Sequence, residues 1–260
     1  MKNLKNLFLL IVVFVYEELL FSFLIFNHIS NAFYKIIFAT IFAIFIHLII
    51  SSTNKRVGKT IRNTVIAIIT LIFGAQFVYY QIYKSIISFY SFSNGSQVFQ
   101  FWKTILEIMW KNWTKILLII YPNIITIILH KTKKLEIQKI SKKQVVSGLA
   151  AIFILQITAL SIMNFEKTDD IYSVKNLYNK SHVPTLMADK IGVITTMRLD
   201  LQRLITNHND TTILAISNNF EEIETEKVPE YNMLDIDWNT LIENESNETI
   251  KSMHQYFSTQ

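Results

Sequence analysis

Hydrophobic and polar positions in this chain fall in long blocks instead of alternating. Residues 7–26 form an apolar run of 20 residues, enough for a helix to cross a hydrocarbon core of about 30 Å. A second run, 33–50, follows a short polar turn at 27–31, so the two predict a helical hairpin. The third, 65–83, closes on Tyr79, Tyr80 and Tyr83, residues suited to the headgroup interface. The fourth, 113–130, is interrupted by Pro122, where a lost backbone donor predicts a kink. The fifth is 145–165, and no later run could span a bilayer. The predicted class is an all-α membrane protein: a bundle of five transmembrane helices in residues 1–165, then a mostly helical extracellular linker in 166–260.

Between the third and fourth runs the period changes. The cluster Ser91, Ser93, Asn94, Gly95 and Ser96 signals a turn. From there Val98, Phe99, Trp102, Ile105, Leu106, Met109 and Trp113 share one helical face, and Gln97, Gln100, Lys103, Thr104, Glu107 and Lys111 the other. This spacing predicts an amphipathic helix beginning near Ser96. It lies either in the membrane interface, with Trp102 toward lipid, or packed against the chain's own tail.

Charge fixes an expected orientation. Residues 1–165 hold 17 Lys and Arg against 4 Asp and Glu, and residues 166–260 hold 8 against 16. The basic residues cluster at the start, in a loop at 51–63 and in a loop at 131–143, leaving only Lys84, Lys103 and Lys111 in the intervening outer loops. Basic residues accumulate on the cytoplasmic side, so the N-terminus is expected inside and the tail outside. The positive half is the membrane half, so its charge reads as topology and nucleic acid is not an expected partner. The length of the first run, its Glu17 and Glu18, and the lack of a small-residue cleavage site argue against a removed signal peptide.

In the tail, 166–180 reads as a polar linker and 183–205 as one helix with Pro184 near its start. Arg198, Asp200 and Arg203 read as an exposed charged face, with the two arginines as candidate binding groups. Residues 207–226 read as a loop, 231–241 as an extended segment and 244–257 as a terminal helix. With few large apolar positions, the tail is expected to bury little core.

Chemistry is sparse. The chain has no cysteine, hence no disulfide, thiolate site or cysteine nucleophile. Its six histidines form no i,i+4 pair, and no metal site is expected within it; His47 and His130 are expected at the interface. There is no phosphate-binding glycine loop or nucleophile elbow. Glu17 and Glu18 are the sharpest feature, because intramembrane carboxylates are costly and turn toward the bundle interior. They read either as contacts to a lipid headgroup or partner helix, or as groups that only fix helix packing. Adjacent residues point about 100° apart, so at most one faces a given partner.

Four stretches carry a family resemblance: VYEELLF in the first run, YSFSNGSQVFQFWKTILEIMWKNW before the fourth, KIGVITTMRLDLQRLI in the tail and YNMLDIDWNTLIENESNETIKSMHQYF at the end. In this order and spacing the chain resembles the membrane portion of the lipoteichoic acid synthase family, phosphoglycerol transferases with a sulfatase-like outer domain. The resemblance implies that such a domain would follow Gln260, carrying a threonine nucleophile and a divalent metal, usually manganese. No catalytic or metal-binding residue of that domain has a counterpart here, so residues 1–260 alone are not expected to be an enzyme. It also implies phosphatidylglycerol or a lipid-linked acceptor as partner, beside the bilayer itself. Two other classes share the layout: the anchor of a phosphoethanolamine transferase, and a non-enzymatic membrane interaction protein.

Overall fold

A computed structural model describes residues 2–88, 102–131, 137–165, 172–180 and 183–206. The expected loop, extended segment and terminal helix beyond residue 206, and the first turns of the amphipathic helix at 96–101, lie outside these residues. Two compact units divide the chain, Met1–Thr212 and Ile213–Gln260, and only the first falls within the described residues. Its boundary lies well past residue 165, so the first part of the tail belongs with the bundle.

Among the described residues every regular element is a helix. They are α1 (Lys2–Phe26), α2 (Ala32–Ser52), α3 (Lys55–Tyr83), α4 (Trp102–Lys111), α5 (Trp113–Lys131), α6 (Lys142–Phe165), α7 (Val174–Asn179), α8 (Pro184–Ile191) and α9 (Val193–Thr206). Four of them, α1, α2, α3 and α6, are long and apolar enough to cross a membrane, or five if α4 and α5 together make one bent span. This suits a multi-pass membrane protein.

Helices α1, α2 and α3 pack on one another, α6 flanks α2, and α5 flanks α3. The central core joins Leu10, Phe14 and Phe21 of α1 to Ala43 and Ile50 of α2 and to Ile66, Phe73 and Phe77 of α3. The outer flanks are apolar where they are exposed. Helix α6 buries only Ala159 and Met163 and exposes Leu149, Phe153 and Ile154. A helix that is hydrophobic all round yet unburied by protein is one made for an apolar medium.

Helix α3 departs from expectation. The stretch read as a basic loop at 51–63 is mostly helix: only Thr53 and Asn54 separate α2 from α3. Hydropathy detects where a helix becomes apolar, not where it starts, and Lys and Arg are good helix formers. Arg62 is fully buried, its Nη1 donating to Asn6 Oδ1 at 2.7 Å, which ties the start of α3 to that of α1. His47, five residues before the end of α2, is likewise buried, 3.4 Å from Ser51 Oγ. Helix α5 continues through Pro122, and the large change of direction falls at Asn112, where α4 and α5 meet at 85°.

The tail is more built than its sequence suggested. The segment read as a linker contains α7, capped by Ser173 Oγ accepting from Asn176 N. The single helix expected over 183–205 is two, broken at Gly192 (φ 91). Leu177, Met187 and Ile191 are fully buried in a second core with Tyr34, Phe38 and Met163. Each such side chain contributes about 1.5–3 kcal/mol relative to exposure to water.

Candidate functional site

One cluster of polar groups buried inside this apolar bundle lies where the tail meets α1 and α2: Glu18, Ser22 and Lys35. Glu18 is 2% exposed. Its Oε2 accepts from Val193 N at 2.8 Å and its Oε1 from Ile194 N at 2.7 Å. Those two amides open α9, where backbone donors have no partner within the helix. Capping usually comes from a side chain next to the helix start. Here it comes from α1, and the negative carboxylate sits at the positive end of the helix dipole.

Gly192 makes the approach possible. A Cβ at this position would lie 2.7 Å from Glu18 Oε2 and 2.8 Å from Glu18 Cδ, and its positive φ disfavours any L side chain. Glu18 lies eight residues before the end of α1, or about 12 Å along its axis. The α8–α9 junction therefore lies alongside α1, not beyond its end.

Around this contact the network is continuous. Lys35 of α2 is buried, its Nζ donating to Ser22 Oγ at 2.7 Å, and Ser22 Oγ donates to the carbonyl of Glu18 at 2.9 Å. Lys35 also interacts electrostatically with Glu18 and Asp189. Asp189 reaches the turn between α1 and α2: Ser30 Oγ lies 2.6 Å from its carbonyl oxygen and 2.8 Å from its Oδ1, and His28 Nε2 is 3.5 Å from Oδ1. Glu17 points elsewhere, as adjacent helical residues must. Its Oε1 accepts from Thr70 Oγ1 of α3 at 2.8 Å, and the side chain is fully buried.

The two arginines separate. Arg198 is exposed; it donates to Tyr178 Oη at 2.8 Å and stacks 5.6 Å from that ring. Tyr178 also accepts from Gln156 of α6 and stacks on Phe38 of α2. Arg203 and Asp200 are not on an exposed charged face. Asp200 is 2% exposed, with Ser88 Oγ donating to its Oδ1 at 3.3 Å. Arg203 is 7% exposed, and its Nη2 donates to the carbonyls of Leu177 and Tyr178, both at 3.3 Å. The last turn of α7 supplies those acceptors, and the helix spacing of α9 alone could not disclose that α7 packs there. Trp102 of α4 is 54% exposed, apart from this network.

Chemically, the arrangement can hold the tail in one place. Glu18, Lys35 and Asp189 point at protein donors and acceptors, not at an open cleft, and Glu17 is buried with its Oε2 unpaired. Among the described residues no three His, Asp or Glu side chains come together to hold a metal, so no residue is assigned to manganese. Lys35, Thr70, Ser30 and Asp189 were not singled out from sequence. The one signal was that an isolated lysine at the start of an apolar run needs a partner. Compared with known proteins, the chain matches no family model, no curated protein and no solved structure.

Proposed function

We propose that this chain is the five-span membrane anchor and outer linker of a lipoteichoic acid synthase-like glycerophosphotransferase. It sits in a bacterial plasma membrane with its N-terminus in the cytoplasm and residues 166–260 outside. The anchor keeps a sulfatase-like, metal-dependent outer domain close to phosphatidylglycerol, its lipid donor, which raises effective concentration at the membrane surface. In that domain a glycerol phosphate unit passes through a phosphothreonine to a growing cell-envelope polymer.

The supporting observation is the contact between two segments that carry the resemblance. Glu18 lies in VYEELLF, and Gly192, Val193 and Ile194 lie in KIGVITTMRLDLQRLI. These stretches, far apart in sequence, meet through hydrogen bonds of 2.7 and 2.8 Å. An anchor that must orient an outer domain needs its linker fixed to the spans, and this lock fixes it. The amphipathic helix suits an interfacial position: α4 turns 85° from α5 and exposes Trp102, Leu106 and Trp110.

The test uses the natural gene product that contains these 260 residues together with whatever its reading frame encodes next. In membranes with manganese and phosphatidylglycerol labelled in the diacylglycerol part, it should release labelled diacylglycerol. Metal-dependent release of diacylglycerol from phosphatidylethanolamine labelled in the same way but not from phosphatidylglycerol, or no metal-dependent release at all, would contradict the proposal.

A further inference from the structure

Between α3, α4 and α5 lies a groove of about 530 Å³ that shares only Thr70 with the polar network described above. Its α3 wall runs from Ala67 to Tyr83 in an unbroken stripe at i, i+3 and i+4 spacing, about 24 Å along the helix axis. That is most of the thickness of a hydrocarbon core, which is about 30 Å. Ile105 and Met109 of α4 close one side. The lining is almost wholly apolar, so water has too few partners to occupy it. A long, narrow, apolar groove at membrane depth fits an extended hydrocarbon chain better than a compact ligand.

Gly74 points the same way. Glycine weakens a helix interior. No neighbour requires it here, since a Cβ at Gly74 would meet no atom within 4 Å. With Ala67 and Ala75 it deepens the groove. The rim at the Tyr83 end is cationic. Lys84, next to Tyr83, has its Nζ 5.8 Å over the Tyr80 ring, and Lys115, near the start of α5, has its Nζ 5.9 Å over the Phe77 ring. The acid on α4, Glu107, is paired with Lys111 at 2.8 Å.

We infer that this groove holds one acyl chain of an anionic membrane phospholipid, its phosphate at the rim near Lys84 and Lys115. In a bilayer, leaving lipid for a groove gains no hydrophobic energy, so tight packing and the headgroup charge must hold the chain. The bound lipid belongs to the outer leaflet under the orientation proposed above; the groove itself does not depend on that orientation or on transferase activity.

The full chain would be placed in phosphatidylcholine nanodiscs containing phosphatidylglycerol with a photoactivatable group midway along one acyl chain. Illumination should label α3 between Ala67 and Tyr83 well above the exposed face of α6 around Phe153. A Cβ at Gly74 meets no atom within 4 Å, so Gly74→Leu places its side chain in the groove and should lower α3 labelling severalfold, to the α6 level. Ala67→Leu, at the far end, is the second variant should the first fail to fold. A Lys84→Gln, Lys115→Gln double variant should remove the preference for this probe over phosphatidylcholine with the same labelled chain. Equal labelling of α3 and α6 would mean surrounding lipid only and would overturn the inference. So would labelling unchanged in folded Gly74→Leu, equal labelling of wild type by both probes, or photocrosslinked dimers showing that a second copy covers the groove. Absence of glycerol phosphate transfer by the natural gene product would leave each of these outcomes unchanged.

Discussion

Glu18 and Gly192 are mutually fitted: the space a side chain on Gly192 would need is filled by the Glu18 carboxylate, whose Oε2 lies 2.7 Å from that Cβ position. The same carboxylate receives the first two amides of α9. Each residue therefore explains the other.

Gly192→Ala should destabilise docking by two routes. Alanine in this extended, positive-φ conformation (φ 91, ψ 159) is strained by roughly 1–3 kcal/mol, and its methyl group forces the carboxylate away from the amides. Glu18→Ala should cost more, because it leaves two buried N–H groups unpaired at about 1–3 kcal/mol each. Glu18→Gln keeps one acceptor oxygen and should fall between wild type and Glu18→Ala. Thermal unfolding in detergent, with limited proteolysis between residues 183 and 206, measures all three. Wild-type stability in Glu18→Ala would remove the lock from the account.

The arginines of α9 should differ in the order of their burial. Arg203→Ala deletes a charged donor to two carbonyls at the end of α7 and should lower stability by about 1.5–3 kcal/mol. Arg198→Ala removes an exposed contact with Tyr178 and should cost no more than about 1 kcal/mol. Melting temperatures of the two variants in one detergent check the ranking, and equal losses would contradict it.

Replacing both Trp102 and Met109 with Asp should loosen α4, because Met109 lines the α3–α5 groove and Trp102 offers an apolar face to the interface. Faster proteolysis within 102–111 in membranes is the expected result. Unchanged protection would mean that α4 is held by something other than its apolar face.

The spans were legible because long apolar runs leave few alternatives. The run at 33–50 became Ala32–Ser52, and the run at 145–165 became Lys142–Phe165. The start of α3 is hidden from hydropathy because its first turns carry Lys55, Arg56 and Lys59, a composition that also suits a loop. The tail was less legible. Gly192 is visible in the sequence, but the reason for it is a carboxylate 174 residues earlier, and local periodicity holds no trace of that partner. Burial of Asp200 and Arg203 was hidden for the same reason: Ser88 and the end of α7, not α9 itself, decide which face is covered.

Orientation has an independent check. A reporter active only outside the cell should work when fused after Gln260 and fail when fused within 131–143. The reverse pattern would turn the whole topology over.

The outer tail is locked alongside α1 and against the α1–α2 turn, and a disulfide tests this most directly. The chain has no cysteine, so an introduced pair reports on itself alone. Ser30 and Asp189 are in side-chain contact at 2.8 Å. The Ser30→Cys, Asp189→Cys double variant, oxidised in intact cells, should form an intramolecular bond that a membrane-impermeant reductant reverses. A cleavage site introduced between residues 166 and 171 would leave the two fragments joined only through that bond. Fragments that separate without reduction, or a bond that only a permeant reductant breaks, would contradict a tail docked on the outer face.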